Sequence, residues 1–260
     1  MKYSFVSYLG TDQFLPGVIA LAHSISLYNK KYDLTVLVSD TVSDQTLGML
    51  SDKKIRFKII AEIKNPQSLG DDERNFKYMY TKLRIFELSE YDKIVYLDAD
   101  MIVCGNIEAL FGHPHMSAVI AGGLLAANST WKDLNAGLLV VEPNKNTFQR
   151  LYSAIGKLHS ADGGDQGFLH SFYKEWPEDI NLHLDNKYNV PFPYLDDYCK
   201  LLGYKFSYVR KLLKTDISVI HYWGRYKPWD VTFKLLQRKN ESKFEQALIL
   251  WWDMYLKGAG

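Results

Sequence analysis

The stretch Ile94-Val95-Tyr96-Leu97-Asp98-Ala99-Asp100 decides the fold that this chain is expected to adopt. Its four apolar residues, preceded by the polar pair Asp92-Lys93, are typical of a strand buried on both faces of a mainly parallel sheet. The strand then ends in two carboxylates separated by one alanine. Because open α/β sheets bind ligands at the carboxyl ends of their strands, this D-x-D motif marks a candidate site.

The D-x-D motif has two interpretations from the residues alone. Asp98 and Asp100 would repel each other, and a hard divalent cation such as Mg²⁺ or Mn²⁺, shared with a substrate's phosphate oxygens, would balance their charge. A solvated turn at the end of the strand explains the same residues without a ligand, because Asp is common in turns. The choice between them depends on the rest of the chain.

Strands and helices alternate before this stretch. Three apolar runs predict strands, at residues 3–8, 34–38 and 55–60. Helices are predicted from Pro16-Gly17 to Tyr28, after the N-cap candidate Ser43, and from Phe76 to Leu88. The polar residues 62–75 predict a long loop. This alternation predicts an α/β fold with a doubly wound, mainly parallel sheet in a single domain.

The pattern is looser after Asp100. Strands are predicted over residues 117–121, 137–141 and 217–221, and helices over 144–158 and up to 173. We assign residues 1–229 to one domain and residues 230–260 to a C-terminal helical extension. The extension could dock on its own domain, pair with a second subunit in a homodimer, or lie on an acidic membrane surface. Docking is favoured, because single domains commonly close with a docked C-terminal helix, and membrane contact is least favoured.

Composition excludes some function classes. The net charge is +1 and no long basic run is present, which argues against a general nucleic-acid binder. The two cysteines are too few and too far apart to frame the fold. No signal-peptide pattern is present, and no apolar stretch approaches about 20 residues, so we expect a cytoplasmic location.

Two further motifs carry polar groups at the ends of elements. In Asp162-Gly163-Gly164-Asp165-Gln166-Gly167, acids and an amide suited to sugar hydroxyls lie beside flexible backbone; a capping turn is the plainer interpretation. His221 ends the last predicted strand and is a candidate third metal ligand, while Lys227 could hold a phosphate. Lys82 and Arg84 are further candidates for phosphate or sugar contacts, or simply residues of a solvated helix face.

Together these motifs resemble glycosyltransferase family 8, in particular its glycogenin-like members, and the galactinol synthases and xylan glucuronosyltransferases of the same family. The resemblance runs from about residue 3 to 229 and rests on blocks in the same order as in the family, namely Tyr80-Thr81-Lys82-Leu83, Leu97-Asp98-Ala99-Asp100, Asn106-Ile107-Glu108-Ala109-Leu110-Phe111, Asn135-Ala136-Gly137, Asp162 to Gly167, Tyr188-Asn189 and His221 to Trp229.

The resemblance implies a GT-A fold, with a Rossmann-like nucleotide-binding half and an acceptor-side half. It implies a retaining, metal-dependent transfer of a hexosyl group, glucose or galactose, from a UDP-sugar to a saccharide or other hydroxyl acceptor. Asp98, Asp100 and His221 would bind Mn²⁺ or Mg²⁺. The other implied roles are uridine binding by Tyr8, Gly10, Thr11 and Phe14, diphosphate binding by Ala99, Gly224 and Lys227, and donor-sugar contact or catalysis by Lys82, Asn135, Asp162, Asp165 and Gln166.

Some positions depart from the family pattern, and two alternatives stay open. Tyr often stands where this chain has Phe14, and Ser usually stands where it has Ala136. No tyrosine falls into register with a self-glucosylated tyrosine, although Tyr194 and Tyr198 bracket the place. A catalytically inactive nucleotide-sugar or glycan binding protein of the same fold is one alternative. A haloacid-dehalogenase-type phosphatase is the other, although its D-x-D motif usually lies near the N-terminus.

Overall fold

The computed structural model describes residues 1–67, 76–224, 226–231 and 242–260, and forms an α/β fold with a mainly parallel central sheet. Its strands are β1 Tyr3–Leu9, β2 Leu34–Ser39, β3 Arg56–Ile60, β4 Lys93–Leu97, β5 Met101–Val103, β6 Leu138–Val141, β7 Val190–Pro191, β8 Phe206–Val209, β9 Leu212–Thr215 and β10 Val219–His221. Its α-helices are α1 Leu15–Tyr28, α2 Asp44–Asp52, α3 Lys145–Ala154, α4 Asp165–Phe172, α5 Leu195–Leu202 and α6 Lys243–Ala259.

The central sheet has the strand order β3-β2-β1-β4-β6. The first four of these strands run parallel, and β6 is an antiparallel edge strand beside β4. From β1 the chain moves outward to β2 and β3, and then returns to the other side of β1 with β4. The strand order therefore reverses between β1 and β4, and sheets of this kind bind their ligands at the carboxyl ends of the strands beside such a reversal.

A second sheet brings a distant part of the chain to the carboxyl end of β4. Its strand order is β5-β10-β7, and His221 of β10 pairs with Met101 of β5 in antiparallel register. Since Met101 directly follows the D-x-D motif, this pairing holds His221 beside Asp100. A single backbone register thus places a residue from the last strand next to carboxylates more than a hundred positions earlier in the chain.

The element types differ from the predictions in several places. The helix predicted from Phe76 to Leu88 is a 3-10 helix, Phe76–Glu87, interrupted by non-helical backbone at Tyr78; we call it the Lys82 helix. Residues 117–121 form isolated bridges instead of a strand. Ser43 caps α2 as predicted. Of the predicted loop over 62–75, residues 68–75 lie outside the described residues, as do residues 232–241 of the predicted extension.

Helix α6 packs against α1 and against β8, which pairs with β9 in a separate two-stranded sheet. Its Trp251 is fully buried, and its Asp253 accepts a hydrogen bond of 2.5 Å from the Tyr208 hydroxyl. The Tyr222 hydroxyl donates to the carbonyl oxygen of Ala247 at 2.7 Å. For residues 243–259 this is the docked arrangement; the domain boundary at residue 229 stays a prediction. No helix in the described part of the chain is long and apolar enough to cross a membrane.

Candidate active site

Three potential metal ligands converge at the carboxyl edge of the central sheet. Asp98 follows β4, Asp100 precedes β5, and His221 ends β10. One ligand atom from each of the three lies within 4.8 Å of the other two. Two carboxylate oxygens and one imidazole nitrogen form a donor set that suits Mn²⁺, and Mg²⁺ less well because of the imidazole. The structure thus brings together the three residues that the sequence proposed as ligands.

Each carboxylate of this group turns one oxygen toward His221 and the other toward a lysine. Oδ2 of Asp98 lies 3.9 Å from Nε2 of His221, while its Oδ1 lies 3.0 Å from Nζ of Lys82. Oδ1 of Asp100 lies 3.3 Å from the same Nε2, and its Oδ2 lies 2.6 Å from Nζ of Lys227. We call the oxygens that contact the lysines the outer oxygens and the two that face His221 the inner oxygens. The inner oxygens and Nε2 of His221 face one another.

The local charge balance favours the ionised form of Asp100. Burial alone would raise the pKa of Asp100, but His221 and Lys227 hold it well below its usual value. Burial alone would lower the pKa of Lys82, but the carboxylates of Asp165 and Asp98 raise it well above its usual value. With Asp98, Asp100 and Asp165 facing Lys82 and Lys227, the carboxylates outnumber the ammonium groups, and a divalent cation would reverse the balance.

Asp165 lies at the N-terminus of α4 and is buried beside Lys82. Its Oδ2 is 3.0 Å from Nζ of Lys82, which therefore bridges Asp165 and Asp98. Burial raises the pKa of Asp165; Lys82 lowers it, while Asp98 and Asp162 raise it further. Next to it, Gln166 Oε1 accepts the backbone N–H of Ala136 at 3.0 Å, which ties the turn before β6 to the start of α4.

Asp162 has a structural role in its own turn. Its Oδ1 accepts hydrogen bonds from the Ser160 hydroxyl at 2.8 Å and from the backbone N–H groups of Gly164 and Gly167 at 2.9 and 3.0 Å. A Cβ at Gly167 would lie 2.5 Å from this oxygen, so the glycine allows the close approach. Oδ1 of Asp162 therefore acts as the cap of this turn, as the plainer interpretation of the motif predicted. A sugar contact from this residue stays a prediction.

The residues proposed for uridine lie at the end of β1 and in the loop after it. Burial raises the pKa of Tyr8 to about 12, so its hydroxyl keeps its proton at neutral pH. Within the described residues, the buried Thr11 Oγ1 has no hydrogen-bond partner. Phe14 packs edge-on against Trp229, with 5.5 Å between ring centroids. A Cβ at Gly10 would meet the ring of Tyr8 at about 3.0–3.1 Å.

Glycines make room for the metal-binding group. A Cβ at Gly137 would lie 2.5 Å from Cε1 of His221, so a larger residue there would displace the imidazole. A Cβ at Gly17 of α1 would lie 2.4 Å from the carbonyl oxygen of Ala99, between the two aspartates. Gly224 has a φ of +112°, which side chains rarely adopt, and a Cβ there would meet nothing within 4 Å.

The structure adds residues that the sequence interpretation missed. The Tyr96 hydroxyl donates to Asp98 Oδ1 at 2.6 Å. Tyr96 was counted as one of four apolar strand residues, but the position two before Asp98 on a strand shares its face, which is a usable signal. Asn189 contacts His221 Nδ1 at 3.1 Å, and no spacing rule links residues so distant in sequence.

The doubly wound sheet, with two carboxylates and a histidine at its switch point, is the arrangement that the predicted GT-A fold requires. The chain belongs to glycosyl transferase family 8, whose family model matches residues 5–232. This confirms the resemblance inferred from the sequence, and nothing in the comparisons supports a haloacid-dehalogenase-type phosphatase.

Two known proteins with similar sequences differ in name and in how much of their length this chain covers. Inositol phosphorylceramide glucuronosyltransferase 1 of Arabidopsis thaliana is 34% identical over 88% of this chain and 43% of its own length. Human glycogenin-1 is 28% identical over 97% of this chain and 71% of its own length. The chain thus spans less than half of the first relative.

Solved structures confirm the fold. The galactosyltransferase LgtC in complex with donor and acceptor sugar analogs aligns over 97% of this chain and 95% of its own, with a TM-score of 0.61 and 13% identity. The glycosyltransferase GlyE of Streptococcus pneumoniae TIGR4 aligns over 97% of this chain and 61% of its own, with a TM-score of 0.62 and 18% identity. At these identities the likeness describes the fold alone.

Proposed function

We propose that this protein transfers a neutral hexosyl group, glucose or galactose, from a UDP-sugar to a saccharide or other hydroxyl acceptor, with retention of configuration. The observation that carries the proposal is the convergence of Asp98, Asp100 and His221 at the sheet's switch point, with a lysine on the outer oxygen of each carboxylate. An inactive relative that only binds its ligand would have no need of a complete ligand set with buried counter-charges.

The roles of the charged residues follow from the positions of their atoms. Asp98, Asp100 and His221 would hold Mn²⁺, which when bound neutralises the diphosphate so that UDP becomes a better leaving group. Lys227 lies at the rim of this group, with its ammonium 2.6 Å from Asp100, and with Gly224 it would bind the diphosphate. The Thr11 hydroxyl, which has no hydrogen-bond partner among the described residues, and the neutral Tyr8 hydroxyl are suited to hydrogen bonds with uridine.

The donor is assigned as a neutral hexose because the nearby cations are already engaged. A uronate donor would need a cation near its carboxylate. Lys82 contacts two carboxylates, and Arg84 pairs with Glu87 at 2.8 Å and donates to the carbonyl oxygen of Ala61. This holds for the described residues; Arg74 and Arg225 lie outside them. Glucuronosyltransferases among the relatives make the uronate the principal competing donor.

Retention has two routes, and the geometry bears on both. Asp165 would serve as a carboxylate nucleophile, with Lys82 holding it at 3.0 Å, or the acceptor would attack from the face that the departing phosphate leaves. Along either route Lys82 and Gln166 position the groups around the sugar. The buried Lys82–Asp165 pair provides the low-dielectric setting in which such charges act strongly.

The acceptor is assigned as a saccharide on the basis of two exposed aromatic rings. Trp223 lies two residues after His221 and is 43% exposed, and Tyr194 is 37% exposed. Their ring centroids are 6.1 Å apart. Exposed aromatic faces beside a candidate donor site are suited to stacking on sugar rings. Replacing both rings by alanine should weaken acceptor use without changing donor hydrolysis.

A turnover assay that reads UDP release tests the proposal. We expect UDP-glucose or UDP-galactose to be turned over, chelation to abolish the activity, and Mn²⁺ to restore it. Asp100→Ala should be inactive under all these conditions. Full activity in excess chelator would contradict the metal assignment. Thermal shifts with Mn²⁺ and a set of UDP-, GDP- and CDP-sugars, UDP-glucuronate included, identify the donor, and preferential stabilisation by UDP-glucuronate would overturn the neutral-hexose assignment.

A further inference from the structure

A hydrogen-bonded chain that includes the side chains of Asn189 and Asn135 runs behind the metal-binding group. Nδ1 of His221 lies 3.1 Å from Oδ1 of Asn189. Nδ2 of Asn189 donates to Oδ1 of Asn135 at 2.9 Å. That same oxygen accepts the backbone N–H of Gly137 at 2.9 Å. Asn189 is 4% exposed and lies in the turn before β7, so its contact with His221 is shielded from water, while the contacts of Asn135 are partly buried.

The direction of every hydrogen bond in this chain is fixed from one end. A backbone N–H can only donate, so the atom of Asn135 that meets Gly137 must be its oxygen. This oxygen then requires the NH₂ group of Asn189 on its other side. Asn189 is thereby left with its oxygen toward His221, and Nδ1 of His221 must carry the hydrogen. The unprotonated nitrogen of a neutral imidazole is then Nε2, the atom that faces Asp98 and Asp100.

We propose that Asn189 is a positioning residue that sets the tautomer and ring orientation of His221 for metal binding, and that it links this ligand to the amide of Asn135. Gly137 supports the arrangement twice. Its N–H fixes the direction of the chain, and its lack of a Cβ leaves the space that the imidazole occupies. Partners of this kind typically change metal affinity by about 10–100-fold when they are removed.

The link to Asn135 has a consequence for the donor. Because its oxygen is held by two donors, Asn135 presents its NH₂ group to its remaining surroundings. A sugar hydroxyl oxygen near it would be met by a donor. Asn189 thus orients one group that would bind the metal and another that would contact the sugar. The part of this inference that concerns the sugar rests on the proposed function. The measurement of Mn²⁺ affinity does not depend on the identity of the sugar.

The test uses Mn²⁺ alone as the probe, with the full chain and no donor, and follows unbound Mn²⁺ by electron paramagnetic resonance. Asn189→Leu removes both hydrogen bonds in a side chain of similar size, and we expect Mn²⁺ affinity to fall about 10–100-fold. Asn29→Leu is the matched control. Asn29 is also buried, and its Oδ1 accepts the N–H of Ile107 at 2.8 Å. It should lose stability without losing Mn²⁺ affinity.

Asn189→Asp separates the two contacts and serves if the leucine variant does not fold. Its carboxylate still accepts from Nδ1 of His221 but cannot donate to Asn135. We expect Mn²⁺ affinity to be kept, while stabilisation by UDP-glucose relative to UDP is lost. Wild-type affinity in folded Asn189→Leu, an equal loss in Asn29→Leu, or a loss of Mn²⁺ binding in Asn189→Asp would each overturn the inference. Absence of Mn²⁺ binding by the wild type would instead contradict the proposed function.

Discussion

Asp100 and Asp165 lie in the same site, are buried to a similar degree, and each contacts a lysine ammonium, yet their pKa values shift in opposite directions. Asp100 is 6% exposed and its pKa is lowered; Asp165 is 5% exposed and its pKa is raised. The difference lies in the charged groups that surround each carboxylate. Asp100 meets both Lys227 and His221, whereas Asp165 shares Lys82 with Asp98 and also faces Asp162.

Burial raises the pKa of both carboxylates and so does not explain the difference between them; the ratio of cations to carboxylates around each one does. The Asp100 side is set to remain ionised, as a metal ligand must be. The Asp165 side carries an excess of negative charge and holds its proton more readily. The same substitution, aspartate to asparagine, should therefore have different effects at the two positions, and each prediction below uses this matched pair.

The largest difference is expected in metal affinity. Asp100→Asn replaces one carboxylate oxygen by an NH₂ group and removes the negative charge that faces both the metal position and Lys227, so Mn²⁺ affinity should fall by more than the roughly 100-fold that loss of an outer partner causes. Asp165→Asn removes no ligand and should leave Mn²⁺ binding nearly unchanged. Titration calorimetry with Mn²⁺ on both variants measures the difference. Similar losses in both would mean that Asp165 also contacts the metal and that the two sides are one site.

The second difference is expected in turnover at saturating Mn²⁺. If Asp165 acts on the sugar, Asp165→Asn should lower turnover by about 10²–10⁴-fold, a typical contribution of a positioned catalytic group. Additional Mn²⁺ should not restore it. Asp100→Asn, limited by metal binding, should recover part of its activity as Mn²⁺ is raised. UDP release across a Mn²⁺ titration distinguishes them, and recovery of Asp165→Asn by Mn²⁺ would contradict its assignment to the sugar side.

Much of this site could be predicted from the sequence because its parts lie at the ends of strong local patterns. The apolar run before Asp98 predicts a buried strand, and ligands bind where such strands end. The sequence offers Lys82 as a candidate contact, although a solvated helix face is the favoured interpretation for at least one of Lys82 and Arg84. Only the three-dimensional packing shows it buried between Asp98 and Asp165.

The remainder depends on long-range pairing and on single atoms. The Met101–His221 register, which brings the histidine to the D-x-D motif, joins a three-residue strand to another of the same length, and segments so short carry no periodicity. Gly137 is important because a Cβ at this position would collide with the imidazole of His221. Asn189 is important because of its hydrogen bond with that imidazole. The 3-10 geometry of the Lys82 helix was also missed, because apolar spacing alone does not separate it from an α-helix.

The third difference is expected in stability of the metal-free protein. Asp100→Asn leaves the largely buried ammonium of Lys227 without its counter-charge, and breaking a buried pair from one side lowers the free energy of unfolding by about 3–5 kcal/mol. Asp165→Asn removes one carboxylate from a cluster in which carboxylates outnumber ammonium groups, and Lys82 keeps Asp98 as its partner. Its stability should be unchanged or slightly raised. Chemical denaturation in chelator measures both, and equal destabilisation would contradict the charge argument.

The smallest difference is expected in the pH dependence of that stability. The folded-state pKa of Asp100 is below the unfolded value of about 3.9, so its contribution is fully present above that pH and is lost as the pH falls through it. The folded-state pKa of Asp165 is raised, so its contribution is greatest below the unfolded value and is lost as the pH rises through it toward the folded value.

The two variants should therefore diverge from the wild type at opposite ends of the pH range. Melting temperatures in chelator from pH 3.5 to 8 should show the deficit of Asp100→Asn narrowing toward the acid end. Any gain of Asp165→Asn should appear above about pH 4 and level off once the pH has passed the folded-state pKa, since each unit of pKa shift corresponds to about 1.4 kcal/mol. Curves that run parallel to the wild type for both variants would mean that the carboxylates titrate alike, and the contrast between the metal side and the sugar side would then have to rest on position alone.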